Sequence, residues 1–270
     1  MEQTAAVQTG PIRRPREWGR AWRALRNIIA DPERTDQVFE IVRALSGSSF
    51  ENSFQRFVAT ADGRHLLAER PCLLTTLSDR EALRAMPAGS FGRAYADFME
   101  EGQLDAAGLV EADQTAEQNF AKELPVDADR EFFGDRVRDM HDLWHVLTGY
   151  GRDEAGEAAN LAFTLGQVWN LGIAFIVTAG AVIGPKNVTL DWQRYLLSAW
   201  RRGRRAKLLT AVPYERLLPL PLEEVRRQLG IQPASEAHPA GILVGNRGQE
   251  PHAVTGEPVD NWSMTRNRAA

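Results

Sequence analysis

At 270 residues the chain can bury a large core, as one domain of about 200 residues with tails or as two small domains. Its composition, 43% hydrophobic and 25% charged, is that of an ordinary globular protein, and a net charge of −4 excludes the basic excess expected of a nucleic-acid binder. Cys72 is the only cysteine, which excludes a disulfide framework and a thiolate metal cluster; a bound metal must be held by nitrogen and oxygen, in a reducing compartment.

The first twenty residues, MEQTAAVQTGPIRRPREWGR, lack the apolar run of a secretory signal, and Glu2, Pro11 and Pro15 oppose an amphipathic presequence. Residues 1–19 read as a disordered tail. Trp18 to Ala30 is an amphipathic helix with Trp22, Leu25, Ile28 and Ile29 on one side. Asp31-Pro32 predicts a restart, Asp at the N-cap and Pro at the first helical position, and Val38, Phe39, Ile41, Val42 and Leu45 carry a second helix to Gly47. Leu66 to Leu77 reads as one helix, with Cys72, set among Pro71, Leu73 and Leu74, as a small core residue. Ser78-Asp79-Arg80-Glu81 is a capping box opening a short helix to Met86; residues 87–92 turn, and Ala94, Tyr95, Phe98 and Met99 resume the helical period. Helical stretches follow around 115–122, 128–148, 154–183, 189–208 and 221–229. No alternation is long enough to predict a sheet. From Gln232 onward Pro, Gly, Asn and Ser accumulate, and 232–270 reads as an extended or disordered tail.

The stretch 128–157 carries the chemistry. His141 and His145 stand four residues apart, about 40° around a helix and one turn along it, and Asp142 lies within about 100° of both. On the opposite side Met140, Leu143, Trp144 and Leu147 form the stripe that buries the helix. Gly149-Tyr150-Gly151 breaks it, Asp153 caps the next helix, and an antiparallel pair would return Glu157 toward the histidines. Two neutral imidazoles and two carboxylates are ligands for a divalent transition metal with room for water or substrate. The bland alternative is a pair of partly exposed histidines making ordinary hydrogen bonds.

Ala158 to Pro185 contains no charge, yet Asn160, Gln167, Asn170 and several glycines suit a central buried helix better than a membrane span. Glu157, Asn160, Leu161, Thr164, Val168 and Leu171 share one helical face, polar beside the metal and apolar beyond, as a pocket for a polar head and a hydrocarbon tail would be. Arg201-Arg202-Gly203-Arg204-Arg205-Ala206-Lys207 is the strongest basic cluster, a solvated helix end or a contact for anionic lipid headgroups beside Trp200.

The run HDLWHVLTGY with Glu157 beyond it resembles the signature of the Coq-four family of ubiquinone-biosynthesis proteins, and so, in order, do DPERTDQVFEIVRALSG, LSDREALRAMPAGSFGRAYADFM and YERLLPLPLEEVRRQLGI. The likeness covers roughly 20–231. It implies an all-α fold, one helical domain carrying the metal on a helix pair, with a divalent metal, usually zinc, on His141, Asp142, His145 and Glu157. It further implies decarboxylation, with or without coupled hydroxylation, of a 4-hydroxy-3-methoxy-5-polyprenylbenzoate-type precursor. The implied partners are that lipid, other enzymes of ubiquinone biosynthesis and, peripherally, the inner membrane: its cytoplasmic face in a bacterium, its matrix side in a mitochondrion. Self-association into a homo-oligomer is left open. In such a reaction Asp142 or Glu157 would act as acid/base, and an oxidative course would call for iron or another redox-active metal, because zinc exchanges no electrons. Two rivals remain: a metal-stabilised, lipid-binding scaffold without catalysis, and an HD-type phosphohydrolase using His65, His141-Asp142 and Asp191, which leaves His145 and Glu157 without a role.

Overall fold

The computed structural model describes residues 11, 13–31, 34–102, 127–183, 190–238, 242–244 and 252–254. Helix α1 (Trp18–Ala30) has the bounds its periodicity predicts and packs on α2 (Thr35–Leu45) through Ala21, Ala24, Leu25, Ile41, Ala44 and Leu45. Asp31 does not cap α2. Its N–H instead closes α1 on the Asn27 carbonyl at 2.9 Å, and Arg34 stands at the N-cap of α2; Pro32 lies outside the described residues.

Next come α3 (Ser49–Ala59), α4 (Ala61–Glu69), α5 (Leu73–Ser78), α6 (Arg80–Ala85) and α7 (Phe91–Glu101). The single helix expected over 66–77 is two. Arg70 adopts a left-handed φ of 48° that ends α4, and Pro71 cannot continue the hydrogen-bond ladder. Cys72, expected in the core, is exposed at the N-cap of α5. The cap of α6 is Asp79 rather than Ser78, its carboxylate accepting from the Ala82 N–H at 3.0 Å. The helical stretch expected at 115–122 lies outside the described residues.

The second half contributes α8 (Ala128–Asp139), α9 (His141–Thr148), α10 (Glu154–Gln167), α11 (Leu171–Ile183), α12 (Leu190–Arg205), α13 (Tyr214–Leu217), α14 (Leu222–Leu229) and α15 (Ala234–Ala237). The stretch 128–148 is interrupted at Met140, which closes α8 with its N–H and opens α9 with its carbonyl. The stretch 154–183 is also divided. Gln167 ends its helix in tertiary bonds: its side chain bonds Gly203 and Leu209, and its carbonyl accepts from Arg56 at 2.9 Å. Val168 turns extended, and Asn170 Oδ1 caps α11 by accepting from Gly172 and Ile173. Only α10 is the buried helix that was expected, with Ala159, Ala162 and Phe163 sealed in the main core. α11 leans on the α1–α2 pair with its outer flank exposed. Among the described residues no helix is long and apolar enough to cross a membrane. The fold is all-α apart from a two-stranded antiparallel ribbon in the tail, β1 (Ile242–Val244) and β2 (His252–Val254), which sequence periodicity did not predict.

Helices α10 and α12 approach each other closely, and the approach is made by glycines. A Cβ on Gly203 would lie 2.1 Å from the Phe163 carbonyl oxygen, and one on Gly166 2.5 Å from that of Trp200. Gly203→Ala should therefore destabilise the protein by about 3 kcal/mol through overpacking against rigid backbone. Gly180→Ala on α11 meets nothing within 4 Å and should be neutral or stabilising by up to ~1 kcal/mol. Urea denaturation of both variants checks the contrast, and equal midpoints would refute the close contact.

Candidate metal centre

Burial of Met140, Leu143, Trp144 and Leu147, the expected stripe, fixes the rotation of α9 about its axis. Trp144 Nε1 donates to the Tyr214 hydroxyl at 2.9 Å, which locks that rotation with a directional bond. Gly149, at φ 71°, ends the helix in a left-handed turn, and the Asp153 carboxylate caps α10 by accepting from Ala155 and Gly156 at 3.0 and 3.1 Å. These two termini bring Glu157 against the histidines.

His141 Nε2 and His145 Nε2 are 3.3 Å apart, and Glu157 Oε2 lies 3.7 and 3.4 Å from them. A triangle with those sides has a centre about 2 Å from every corner, the usual distance from a divalent metal to imidazole nitrogen or carboxylate oxygen. His145 is buried and His141 and Glu157 are partly open, so a fourth position would face the outside. The donor set fits a divalent metal on His141, His145 and Glu157. Asp142 is not among the grouped donors, though its charge reaches His145.

Contacts around His145 tie its ring in place. Its Nδ1 lies 3.1 Å from the Tyr150 carbonyl oxygen, which calls for the proton on Nδ1 and frees Nε2 as the ligand atom. Phe98 of α7 stacks on the ring at 5.7 Å between centroids, and the Arg152 guanidinium sits 4.8 Å from the Phe98 ring centre. Burial alone would favour the neutral imidazole, but the Glu157 carboxylate overrides it and raises His145 to about 9 in the metal-free protein. Burial likewise works against the Glu157 charge, and the two imidazoles overcome it, holding that carboxyl well below its usual range.

The residues expected to bind substrate divide between elements. Asn160 and Thr164 follow Glu157 on α10; Asn160 is fully buried with neither amide atom paired, and Thr164 Oγ1 is buried without a partner. Leu161 is half-buried on the same helix. Val168 stands at the break and packs on the main core, whereas Leu171 begins α11 and packs with α1 and α2. The continuous face drawn through all of them is thus bent at 168–170. His65 Nε2 lies 2.6 Å from Arg216 Nη2 and 3.2 Å from Glu69 Oε2, outside the histidine–glutamate group, and the Asp191 side chain lies outside the described ones.

Sequence reasoning missed Phe98, Tyr150, Arg202 and Arg226. Arg202, read within a basic solvated run, is buried: it binds the Tyr150 hydroxyl and the carbonyls of Thr148 and Gln232. A signal existed, because Trp192, Tyr195, Ala199 and Arg202 fall at helical spacing on the inward face of α12.

A family model described as coenzyme Q (ubiquinone) biosynthesis protein Coq4 matches residues 18–235. The ubiquinone biosynthesis protein COQ4 homolog, mitochondrial, of Drosophila ananassae is 28% identical over 208 residues, 75% of this chain and 73% of that protein. The Nematostella vectensis homolog is 29% identical over 214 residues, 76% of this chain and 96% of that protein. The crystal structure of a putative ubiquinone biosynthesis protein from Nostoc punctiforme shares the fold, with a TM-score of 0.58 at 21% identity over 80% of this chain and 99% of that one.

In metal-free protein the raised His145 has a definite consequence for stability. A group whose pKa rises from 6.5 unfolded to about 9 folded contributes fully below 6.5 and loses that contribution as pH climbs through 9. Chelator-stripped protein should lose on the order of 2 kcal/mol between pH 6.5 and 9.5 relative to Glu157→Gln, which lacks the ion pair. Urea midpoints across that window test it, and parallel curves for the two proteins would disprove the pairing.

Proposed function

This chain belongs to the Coq4 family of coenzyme Q (ubiquinone) biosynthesis proteins, and from that premise we propose that it decarboxylates ring carbon 1 of a 4-hydroxy-3-methoxy-5-polyprenylbenzoate-type precursor, using a divalent metal held by His141, His145 and Glu157. The observation that carries the reading is the triangle of three donor atoms with sides of 3.3, 3.4 and 3.7 Å. Two imidazoles and one carboxylate suit zinc, and equally a ferrous ion. A metal there supplies Lewis acidity toward the ring carboxylate or a ring oxygen, and iron would add electron exchange.

The protein's own groups have separate tasks. In simple decarboxylation, release of carbon dioxide leaves a ring carbon that gains one proton, relayed from water by Asp142, outside the donor triangle, or by Glu157. The unpaired amide of Asn160 and hydroxyl of Thr164 can donate to and accept from the hydroxyl and methoxy oxygens of the head, relieving the cost of leaving buried polar atoms unmatched. Leu161, Val168 and Leu171 then guide the prenyl tail toward the α1–α2 side.

Purified protein reconstituted with zinc or with ferrous iron, incubated with a short-tailed precursor, should release carbon dioxide. His141→Ala/His145→Ala should lose stoichiometric metal and at least about 10²-fold in turnover. Activity without oxygen marks simple decarboxylation, and activity only with dioxygen and ferrous iron marks the coupled hydroxylation. Tight lipid binding with no turnover under any condition would refute the enzyme and leave a scaffold.

Peripheral membrane contact belongs to the same reading. On α1, Trp18, Trp22 and Ile29 are 45, 52 and 53% exposed, and both indoles meet Phe175 of α11 edge-on. Arg13, Arg16, Arg23 and Arg26 of the same segment are exposed too, and basic side chains beside an apolar ridge suit anionic headgroups. Trp18→Ser/Trp22→Ser should weaken binding to vesicles containing anionic lipid by about tenfold or more. Sedimentation with vesicles reads the effect, and unchanged binding would place the membrane contact elsewhere.

A further inference from the structure

We propose that Arg202 and Tyr150 are positioning residues that set the imidazole of His145 for metal binding, an inference that rests on the metal-site reading above. For Nε2 of His145 to face His141 and Glu157 as a ligand, Nδ1 must carry the hydrogen and have an acceptor fixed in direction. That acceptor is a backbone carbonyl, Tyr150 O at 3.1 Å, and it lies in a turn rather than in regular structure. The turn's local ties are the Gly149 N–H on the His145 carbonyl at 2.8 Å and the Tyr150 N–H on Thr148 Oγ1 at 3.4 Å. Neither determines where the Tyr150 carbonyl points.

The further restraint comes from below. Arg202 reaches up from α12 and donates through Nη1 to the Tyr150 hydroxyl, and through Nη2 to the carbonyls of Thr148 (3.3 Å) and Gln232. Its guanidinium carbon also lies 4.9 Å from the centre of the Tyr150 ring, and Tyr195 meets that ring edge-on at 5.7 Å. Tyr150 is fully enclosed and Arg202 is 8% exposed, while Arg201, Arg204 and Arg205 around it stay in solvent. Burying one guanidinium out of such a run is costly unless its donors are used, and here they hold both ends of the Thr148–Tyr150 turn. A lysine could satisfy one of these acceptors but not the set, because it lacks the planar fork.

The test uses Tyr150→Phe, which deletes one oxygen and keeps the carbonyl, and Arg202→Lys, which keeps the charge. The exposed Arg201→Lys serves as control. Each full-length protein is loaded with cobalt(II), whose visible spectrum reports coordination geometry, and zinc affinity is measured by chelator competition. Both variants should bind zinc about 10–100-fold more weakly and shift the cobalt spectrum, with the control unchanged. Thermal melts run alongside: lower stability with wild-type spectrum and zinc affinity would overturn the proposal and leave a purely structural strut. Wild-type protein that takes up no metal would refute the metal site itself, an outcome read before any variant is made.

Discussion

The C-terminal end of α9 is the constraint on which the site depends. A helix that stops inside a protein leaves its last four carbonyls without intrahelical donors, and leaving them unpaired would cost on the order of 1–3 kcal/mol each. All four are satisfied here: His145 O accepts from Gly149 N–H, Val146 and Leu147 from Arg226 of α14 at 2.8 and 2.9 Å, and Thr148 from Arg202 of α12. Two guanidinium charges at the negative end of the helix dipole add electrostatic stabilisation. The eight residues of α9 are too few to hold a helix alone, so its persistence belongs to these tertiary contacts.

Buried arginine recurs as the fastening of this fold. Arg130 meets Glu51 in a two-pronged pair between α8 and α3, and Arg136 joins Glu215 and the Val212 carbonyl. Each such group is expensive to desolvate and returns that cost only through several directed bonds, so it specifies one arrangement of helices more sharply than apolar contact does. Helix α9, which carries two of the candidate ligands, is thereby referenced to α12, α13 and α14 at once, as a cluster of donors requiring sub-ångström placement would need.

The α10–α12 contact supplies the second reference plane. Glycines at 166 and 203 let two backbones approach to the limit of contact, and Glu157, about two and a half turns N-terminal to Gly166, inherits that rigidity. Beyond the contact, the side chain of Gln167, the last residue of α10, bonds α12 and its flank, and the chain breaks at Val168. The break lets α11 fall away toward α1 and α2, where its apolar flank and the indoles of Trp18 and Trp22 form one exposed ridge. The core helix α10 and the α11 flank that joins the ridge therefore come largely from a single uncharged stretch of sequence.

Local sequence determined what local physics controls. The spacing of His141 and His145, the buried stripe beneath them, the glycine stop at 149 and the Asp153 cap are all properties of neighbours within one or two turns, and all were legible without coordinates. So was the bulk of the helical content. Of the helix ends that were misplaced, Arg70 stops on a left-handed φ beside Pro71 and Met140 on a local change of hydrogen bonding, whereas the break at Val168 is set by contacts distant in sequence, such as Arg56 on the Gln167 carbonyl 111 residues away. Periodicity cannot see those. Nor could it separate Arg202 from its solvated neighbours, or say that Asp142 stands outside the three donors that converge. Which of several chemically suitable side chains meet at one point is a matter of how helices are docked, and the docking here is fixed by buried guanidinium bonds and glycine contacts between segments far apart in the chain.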